Sequence, residues 1–244
     1  MTLDPRRARL WSAMGLGPVW SLRVAAAPAD SVPAQAPADP EAGLSRAERI
    51  ARMGWDELER TVAACTACAL SGGRNRTVFG VGNRAAEWML VGEAPGAEED
   101  ARGEPFVGQA GRLLDNMLAA IGLARSGATG QSVFIANVLK CRPPGNRNPE
   151  PNEVAQCDPF LKRQIELVAP KLVLVMGRFA AQSLLGTDAS IASLRGRVHR
   201  IEVAGRSVPV VVTYHPAYLL RNLGDKAKSW ADLCLAREVV TGSG

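Results

Sequence analysis

The sequence predicts an α/β fold in which helices cover both faces of a central parallel sheet. Four short apolar runs have the length and composition of buried strands: residues 88–91, 133–138, 172–176 and 208–213. Segments with helical spacing of apolar residues separate these runs, and strands that alternate with helices form parallel sheets. The 244 residues, 47% of them hydrophobic, are enough for one well-packed domain and a small appendage. In such sheets, ligands bind beyond the carboxyl ends of the strands.

The first 43 residues differ in composition from the rest of the chain. Residues 25–42 are mostly Ala, Pro, Asp and Glu, which cannot bury a core, so we expect a linker there. The linker separates a short basic and aromatic peptide from a domain that spans residues 44–244. We therefore predict a disordered N-terminal extension over residues 1–43.

The domain is expected to begin with a helix. Ser45 and Glu48 form the pattern of a capping box, and the helix that they open runs toward Cys65 with a break at Gly54. Apolar residues at helical spacing predict the later helices, over residues 108–121, 151–168, 178–185 and 223–240.

Charge and hydropathy narrow the class of protein. The net charge of +5 suits a polyanionic partner such as DNA. No apolar run is long enough to span a membrane, and no continuous apolar stretch follows the basic start as it would in a signal peptide. We expect a cytoplasmic protein that does not bind membranes.

The five cysteines favour a metal site over a secreted disulfide framework, because their number is odd and two of them form a C-x-x-C pair. Cys65 and Cys68 form the pair, and Cys141 and Cys157 follow far downstream. Four thiolates can hold zinc or a [4Fe–4S] cluster. The uneven second spacing is unlike the two matched knuckles of a zinc ribbon. Cys234 lies on the last predicted helix and is expected in the core.

Polar and aromatic residues follow the predicted strands at their carboxyl ends. Glu93 and Glu99 lie in the stretch GEAPGAEED after the first strand, where carboxylates can orient water. Phe106 stands between Pro and Val in a loop and can stack on a planar ligand. Asn137 ends the second strand and offers a donor and an acceptor to a base edge. His215 follows the fourth strand, where it can donate to a developing negative charge.

Four ordered motifs, GEAPGAEED, GEPFVGQAG, NVLKCRPPGNRNP and HPAYLLR, resemble family 4 of the uracil-DNA glycosylase superfamily, the iron–sulfur branch. The resemblance runs from about Cys65 to the C-terminal helix. It implies a three-layer α/β/α fold with a central four-stranded parallel sheet. It also implies a [4Fe–4S] cluster held by Cys65, Cys68, Cys141 and Cys157.

The resemblance implies how uracil-containing DNA is bound. Phe106 stacks on the flipped uracil, and Asn137 reads its polar edge. Gly92 and Ala94 belong to the substrate-binding loop that approaches the base.

It also implies the groups that act on the bond. His215 stabilises the negative charge that builds on the uracil ring. Glu93 and Glu99 are candidates to position or activate water, and Asn146 assists near the same site.

The HPAYLLR loop is implied to enter the DNA groove and to support the distorted strand. Its expected contacts are Leu219, Leu220 and Arg221.

Two departures refine the expected chemistry. Ala94 stands where the best-known uracil glycosylases carry an aspartate, which leaves the water-activating carboxylate open. The motif also differs from the GEQPG of the covalent uracil-trapping branch. No lysine holds a clear nucleophile position, so we expect a monofunctional enzyme that leaves an abasic site in base excision repair.

Residues 5–23 lie outside these motifs. They resemble the short clamp-loader-binding peptide at the start of the bacterial polymerase III psi subunit, through Trp11, Met14, Gly15, Trp20, Ser21 and Leu22. Spaced aromatic residues on an arm are typical of segments that fold on binding, so this peptide is a candidate contact for the clamp loader. A floppy extension with incidental hydrophobic residues is the alternative.

Other functions stay open at this point. They are an iron–sulfur lesion-binding or electron-transfer protein without hydrolysis, a zinc-stabilised binding module, and a glycosylase for another deaminated base. We expect a monomer that joins the nucleoid during repair.

Overall fold

The computed structural model describes residues 4–17 and 43–242 of the chain. The chain divides into two units, Met1–Ala42 and Gly43–Gly244. No helix in the described parts of the chain combines the length and the apolar character that a membrane crossing needs.

A short helix, α1 (Pro5–Ala13), lies in the first unit. Asp4 precedes it, and its carboxylate accepts hydrogen bonds from the backbone N–H groups of Arg6 and Arg7 at 2.9 and 3.0 Å. A capping aspartate followed by proline at the first helical position is a strong start signal, which explains the helix. Within the predicted N-terminal extension, residues 5–13 therefore have a local reason to form a helix. The predicted linker falls outside the described residues.

One six-stranded sheet forms the centre of the second unit, in the order β1-β3-β2-β4-β6-β5. The strands are β1 (Val81–Gly82), β2 (Trp88–Gly92), β3 (Val133–Asn137), β4 (Leu172–Met176), β5 (Val198–Val203) and β6 (Arg206–Thr213). The four central strands are parallel to one another, as predicted. The expected number of strands is corrected from four to six, because an antiparallel strand flanks each edge.

The two edge strands escaped prediction for physical reasons. β1 has only two residues, so it carries no pattern. β5 has only two buried residues among six and carries two charged ones, unlike the buried runs of the centre. Its hairpin to β6 turns at Ala204 and Gly205, both with positive φ, 48° and 75°. Alanine is an unusual residue for that conformation, so the turn lacks an obvious sequence signal.

Helices cover both faces of the sheet. They are α2 (Arg46–Arg52), α3 (Trp55–Ala63), α4 (Ala97–Arg102), α5 (Gln109–Ala120), α6 (Pro151–Val168), α7 (Arg178–Leu185), α8 (Ile191–Leu194), α9 (Pro216–Arg221) and α10 (Lys226–Thr241). Met89 and Val91 of β2 face a core that includes residues of α2, α3, α6 and α7. Trp88 and Leu90 face a second core, with α5 and α10. This alternation produces the expected three layers.

The helix predicted from the capping box is confirmed at its start and at its break. The Ser45 hydroxyl accepts from the Glu48 N–H at 3.3 Å, and the Ser45 N–H donates to the Glu48 carboxylate at 2.8 Å. Helix α2 ends at Arg52, and α3 begins after Gly54. The two helices pack on α6 and lead the chain to Cys65.

The carboxyl ends of the parallel strands meet at one edge of the sheet. β2 ends at Gly92 and β3 at Asn137, and these two residues are register partners. β6 ends two residues before His215. The fold therefore brings the loops that carry the predicted site to the same edge.

Candidate active site

A cleft of about 470 Å³ opens at this edge. The loops that follow β2, β3 and β6 form its walls. The predicted site residues that line it are Glu93, Ala94, Glu99, Phe106, Asn137, Asn146, His215 and Arg221. Residues far apart in the sequence thus converge on one concave surface, as expected for a ligand site.

Phe106 forms an aromatic wall of the cleft. Its backbone has φ 56°, a left-handed conformation that is uncommon for a residue with a side chain. Its ring stacks on the imidazole of His215, with 5.3 Å between centroids and 28° between planes. A Cβ at Gly92 would overlap Oδ1 of Asn137 and lie 2.8 Å from Cζ of Phe106. Glycine at position 92 therefore makes room for both side chains.

Asn137 presents an amide to the cleft. The residue is only 2% exposed, and its backbone carbonyl accepts from Nζ of Lys140 at 2.8 Å. Within residues 4–17 and 43–242, no group is hydrogen-bonded to its side-chain amide. A buried amide with an open donor and an open acceptor is suited to a planar ligand with the complementary pair.

His215 is the N-cap of α9, and its ring is held in one orientation. Nδ1 accepts the backbone N–H of Ala217 at 3.1 Å, so the proton of the neutral ring lies on Nε2. Burial lowers the pKa of His215 to about 4, and the positive charge of Arg221 makes a smaller contribution in the same direction. The imidazole is therefore neutral at physiological pH and offers Nε2–H as a donor.

Two carboxylates and an amide complete the polar lining. Burial raises the pKa of Glu93, and the positive charge of Arg178 opposes that rise. The carboxylate of Glu99 folds back toward Gly96, where a Cβ would lie 2.6 Å from Oε2. Asn146 is exposed, and its Oδ1 accepts from Nε of Arg142 at 2.8 Å.

The three predicted DNA contacts lie on α9 and differ in their exposure to solvent. Leu219 is 1% exposed and belongs to the face of α9 that packs near α5. The helical turn directs this side chain into the domain, so the surface of α9 presents the other two residues to DNA. Leu220 is 39% exposed, and Arg221 is exposed at the cleft.

The four predicted ligand cysteines lie outside the cleft. Cys141 and Cys157 are buried together, with Cys68 and Ala94 packed against the same cluster. Arg74 donates to Sγ of Cys141 at 3.2 Å, and Arg46 donates to Sγ of Cys65 at 3.6 Å. Burial raises the pKa of Cys157 to about 11. In the part of the chain that the structure describes, no three potential ligands already form a site for a single metal ion.

Lys140 is a buried cation that sequence reasoning did not single out for any role. It is 1% exposed, and Nζ also donates to Oε1 of Gln164 at 2.6 Å. Burial lowers its pKa to about 7. Lysine is usually a surface residue, so no local pattern marks this one. Lys140 holds the backbone of Asn137 and does not line the cleft, so it is not placed as a nucleophile.

Comparison with known proteins gives a consistent result. The family model of the uracil DNA glycosylase superfamily matches residues 79–235. The type-4 uracil-DNA glycosylase of Archaeoglobus fulgidus is 46% identical over 169 residues, which cover 68% of this chain and 82% of that protein.

Two further relatives carry the same name. The type-4 uracil-DNA glycosylase of Sulfurisphaera tokodaii is 42% identical over 172 residues, 68% of this chain and 76% of the relative. That of Thermotoga maritima is 42% identical over 172 residues, 70% of this chain and 85% of the relative. The chain belongs to the uracil-DNA glycosylase superfamily, and within it to the type-4 uracil-DNA glycosylases.

Proposed function

We propose that this protein removes uracil from DNA by hydrolysing the N-glycosidic bond, which leaves an abasic site for base excision repair. One observation carries the proposal: Phe106, Asn137 and His215 converge on a single cleft in a chain of the type-4 family. The three side chains supply a stacking surface, an open amide and a neutral donor.

Base recognition requires extrusion of the nucleotide, which costs a few kcal/mol in lost stacking and pairing. Stacking on Phe106 offsets part of that cost. The Asn137 amide can accept from N3–H of uracil and donate to O4, whereas cytosine presents the reversed pair, which the amide matches only after it turns over. Gly92 keeps the space for this contact open, and Ala94 adds an uncharged methyl group to the cleft lining.

Bond cleavage separates charge between the base and the sugar. Nε2–H of His215 donates to uracil O2 as negative charge develops there. The ring does this in its neutral form. Glu93 and Glu99 line the cleft and are the candidates to stabilise the positive sugar and to orient the attacking water. Asn146 acts beside them at the rim of the cleft.

DNA is held outside the cleft by α9, and the net charge of +5 favours a polyanion. Leu220 wedges against the strand that the extruded nucleotide leaves, and Arg221 contacts a phosphate at the mouth. The protein acts as a monomer on nucleoid DNA in the cytoplasm.

The direct test uses an oligonucleotide with one uracil and a matched oligonucleotide with thymine. We expect uracil release from the first alone, and strand breakage only after alkali, since the product is an abasic site. Breakage without alkali would indicate a lyase. A folded, iron-loaded protein that releases no uracil would favour a lesion-binding protein, or a glycosylase for another base if hypoxanthine or xanthine is released.

We further propose that Cys65, Cys68, Cys141 and Cys157 hold a [4Fe–4S] cluster, which braces the fold. The chemistry of the donor set supports this: two of the four thiols, Cys65 and Cys141, accept hydrogen bonds from Arg46 and Arg74, and these cations suit an anionic metal–thiolate centre. When bound, the cluster supplies no step of the hydrolysis. Because Ala94 packs against the same cysteines, the brace extends to the cleft wall.

Metal and sulfide analysis tests this proposal. We expect a brown protein with about four iron atoms and as many sulfides per chain. Cys141→Ser should lose both the colour and the iron, whereas Cys234→Ser, a change at the fifth cysteine, should keep them. A colourless protein that contains zinc would contradict the proposal.

The N-terminal peptide is proposed as a contact for the clamp loader. Leu10, Trp11 and Met14 are exposed apolar side chains in its described part, and an aromatic, apolar surface suits a protein partner. Residues 18–23 of the peptide lie outside the described residues. Retention of purified clamp loader by the full chain, and loss of retention in Trp11→Ala, is the expected result. No retention at low salt would contradict it.

A further inference from the structure

The loop that carries Phe106 is held in an unfavourable backbone conformation. Phe106 has φ 56°, where residues with a Cβ are uncommon and where the backbone is strained. Its ring is 5% exposed and stacks on His215. Such a conformation persists only when neighbouring contacts favour it over the relaxed alternatives.

The guanidinium of Arg125 supplies those contacts. Nη1 donates to the carbonyl of Pro105 at 2.9 Å, and Nη2 donates to the carbonyl of Phe106 at 2.5 Å. Two consecutive carbonyls thus accept from one planar cation. Hydrogen bonds to a charged donor are stronger than those between neutral groups.

Arg125 is itself fixed in place. Its Nε pairs with Asp115 of α5 at 2.6 Å, and its side chain is 20% exposed. The preceding residue, Ala124, pairs with Ser132 at the entry to β3. Gly111 completes the arrangement, because a Cβ there would overlap the carbonyl of Phe106. Asp115 and the Ala124–Ser132 bridge therefore hold Arg125 in place, and Gly111 leaves room for the carbonyl of Phe106.

We propose that Arg125 is a positioning residue: it fixes the Phe106 ring in the orientation that stacks on the extruded base. The inference rests on the proposed function, in which Phe106 touches uracil. Arg125 lies outside the cleft and outside the four sequence motifs, and it acts through the backbone of Phe106.

Removal of the guanidinium should slow uracil release strongly and change the free energy of unfolding only slightly. We expect Arg125→Met to slow single-turnover uracil release by about 10- to 100-fold, the effect of losing charge-assisted hydrogen bonds. Inhibition by free uracil should also weaken, because it measures how well the cleft binds the base when no DNA is attached. Affinity for DNA that contains an abasic site should stay near the wild-type value. The rate of uracil release by Arg125→Lys should lie between those of the wild type and Arg125→Met, since one ammonium group cannot donate to both carbonyls in the geometry of a guanidinium.

Arg163 provides a matched control on another part of the fold. It is similarly covered, at 14% exposure, donates to the carbonyl of Met53 at 2.7 Å and pairs with Glu166 at 2.7 Å. Arg163→Met should shift the melting temperature as much as Arg125→Met does, but it should leave uracil release and uracil inhibition unchanged. If Arg125→Met does not fold, Asp115→Asn loosens the same guanidinium and should move both readouts in the same direction.

A double-mutant cycle with Phe106→Ala decides whether Arg125 acts through Phe106. Once the ring is gone, Arg125→Met should cost little further activity. An equal loss in both backgrounds, or wild-type uracil release and inhibition in Arg125→Met, would overturn the inference while the proposed function stands. A wild type that releases no uracil overturns both.

Discussion

Single hydrogen bonds set the chemistry of His215. The Ala217 N–H donates to Nδ1, which places the ring proton on Nε2, and burial lowers the pKa to about 4. The chain has two histidines, so ¹⁵N NMR of labelled histidine resolves each ring. We expect His215 to give the signals of the neutral Nε2–H form from pH 7 down to about pH 5. Signals of a cation at pH 6 would contradict the assigned role.

The lowered pKa of His215 also affects stability. In the unfolded chain the ring titrates near 6.5, so between about pH 6.5 and 4 the unfolded state binds a proton that the folded state does not. The stability that this group contributes is therefore present above pH 6.5 and is lost as the pH falls toward 4. Chemical denaturation at pH 7 and pH 5 should show a smaller decrease in His215→Asn than in the wild type. An equal decrease would mean that other groups cause it.

Gly92 shows how a residue without a side chain shapes the cleft. A methyl group at this position would overlap the Asn137 amide and crowd the Phe106 ring. We expect Gly92→Ala to lower single-turnover uracil release by about 100-fold, the cost of displacing a site residue by roughly 1 Å. Gly54→Ala, at a glycine with φ −76° whose added Cβ would meet no atom within 4 Å, tests for a general effect of glycine replacement and should keep activity. Wild-type release in Gly92→Ala would contradict the described geometry.

Local signals identified several residues at the strand ends, but they could not reveal side-chain contacts from distant segments. Asn137 and His215 follow buried strands, so their meeting at one sheet edge could be predicted. Arg125 and Lys140 act through backbone carbonyls that only the folded chain brings near. No spacing or composition marks such residues before the fold is known.

At the scale of the element, α9 separates packing from DNA contact. Leu219 is 1% exposed and Leu220 is 39% exposed, although the two are neighbours in the sequence. Leu219→Ala should destabilise the protein by about 2–5 kcal/mol, measured by chemical denaturation. Leu220→Ala should leave stability near the wild-type value and weaken binding to uracil-containing DNA. The reverse pattern would mean that α9 is turned the other way.

The central elements could be predicted because their patterns are strong. Long buried runs in the parallel strands and a capping box at α2 leave few alternatives. The edge strand β5 and the short helix α9 depend on contacts across the fold instead of on local pattern. A loop has no inner and outer face, so HPAYLLR, predicted as a loop, offers no local signal that separates Leu219 from Leu220.

The chain has two units, and we propose that uracil release belongs to the second and contact with the clamp loader to the first. The site and the four cysteines all lie in Gly43–Gly244. Removal of residues 1–42 should therefore leave single-turnover uracil release on short oligonucleotides within about twofold of the full chain, because residues of the second unit line the cleft. A large loss of activity with an unchanged melting temperature would mean that the N-terminal unit contributes to catalysis.

We propose that one cleft reads uracil through Asn137 and stabilises the charge on uracil through His215. Single-turnover release of uracil by Asn137→Ala and His215→Ala tests it most directly, with His199→Ala as the control. His199 bonds to the carbonyl of Leu194 and does not line the cleft. We expect losses of about 100-fold or more in both site variants, as for removal of a donor to a developing charge, and wild-type release in His199→Ala. Wild-type rates in both site variants would contradict the account.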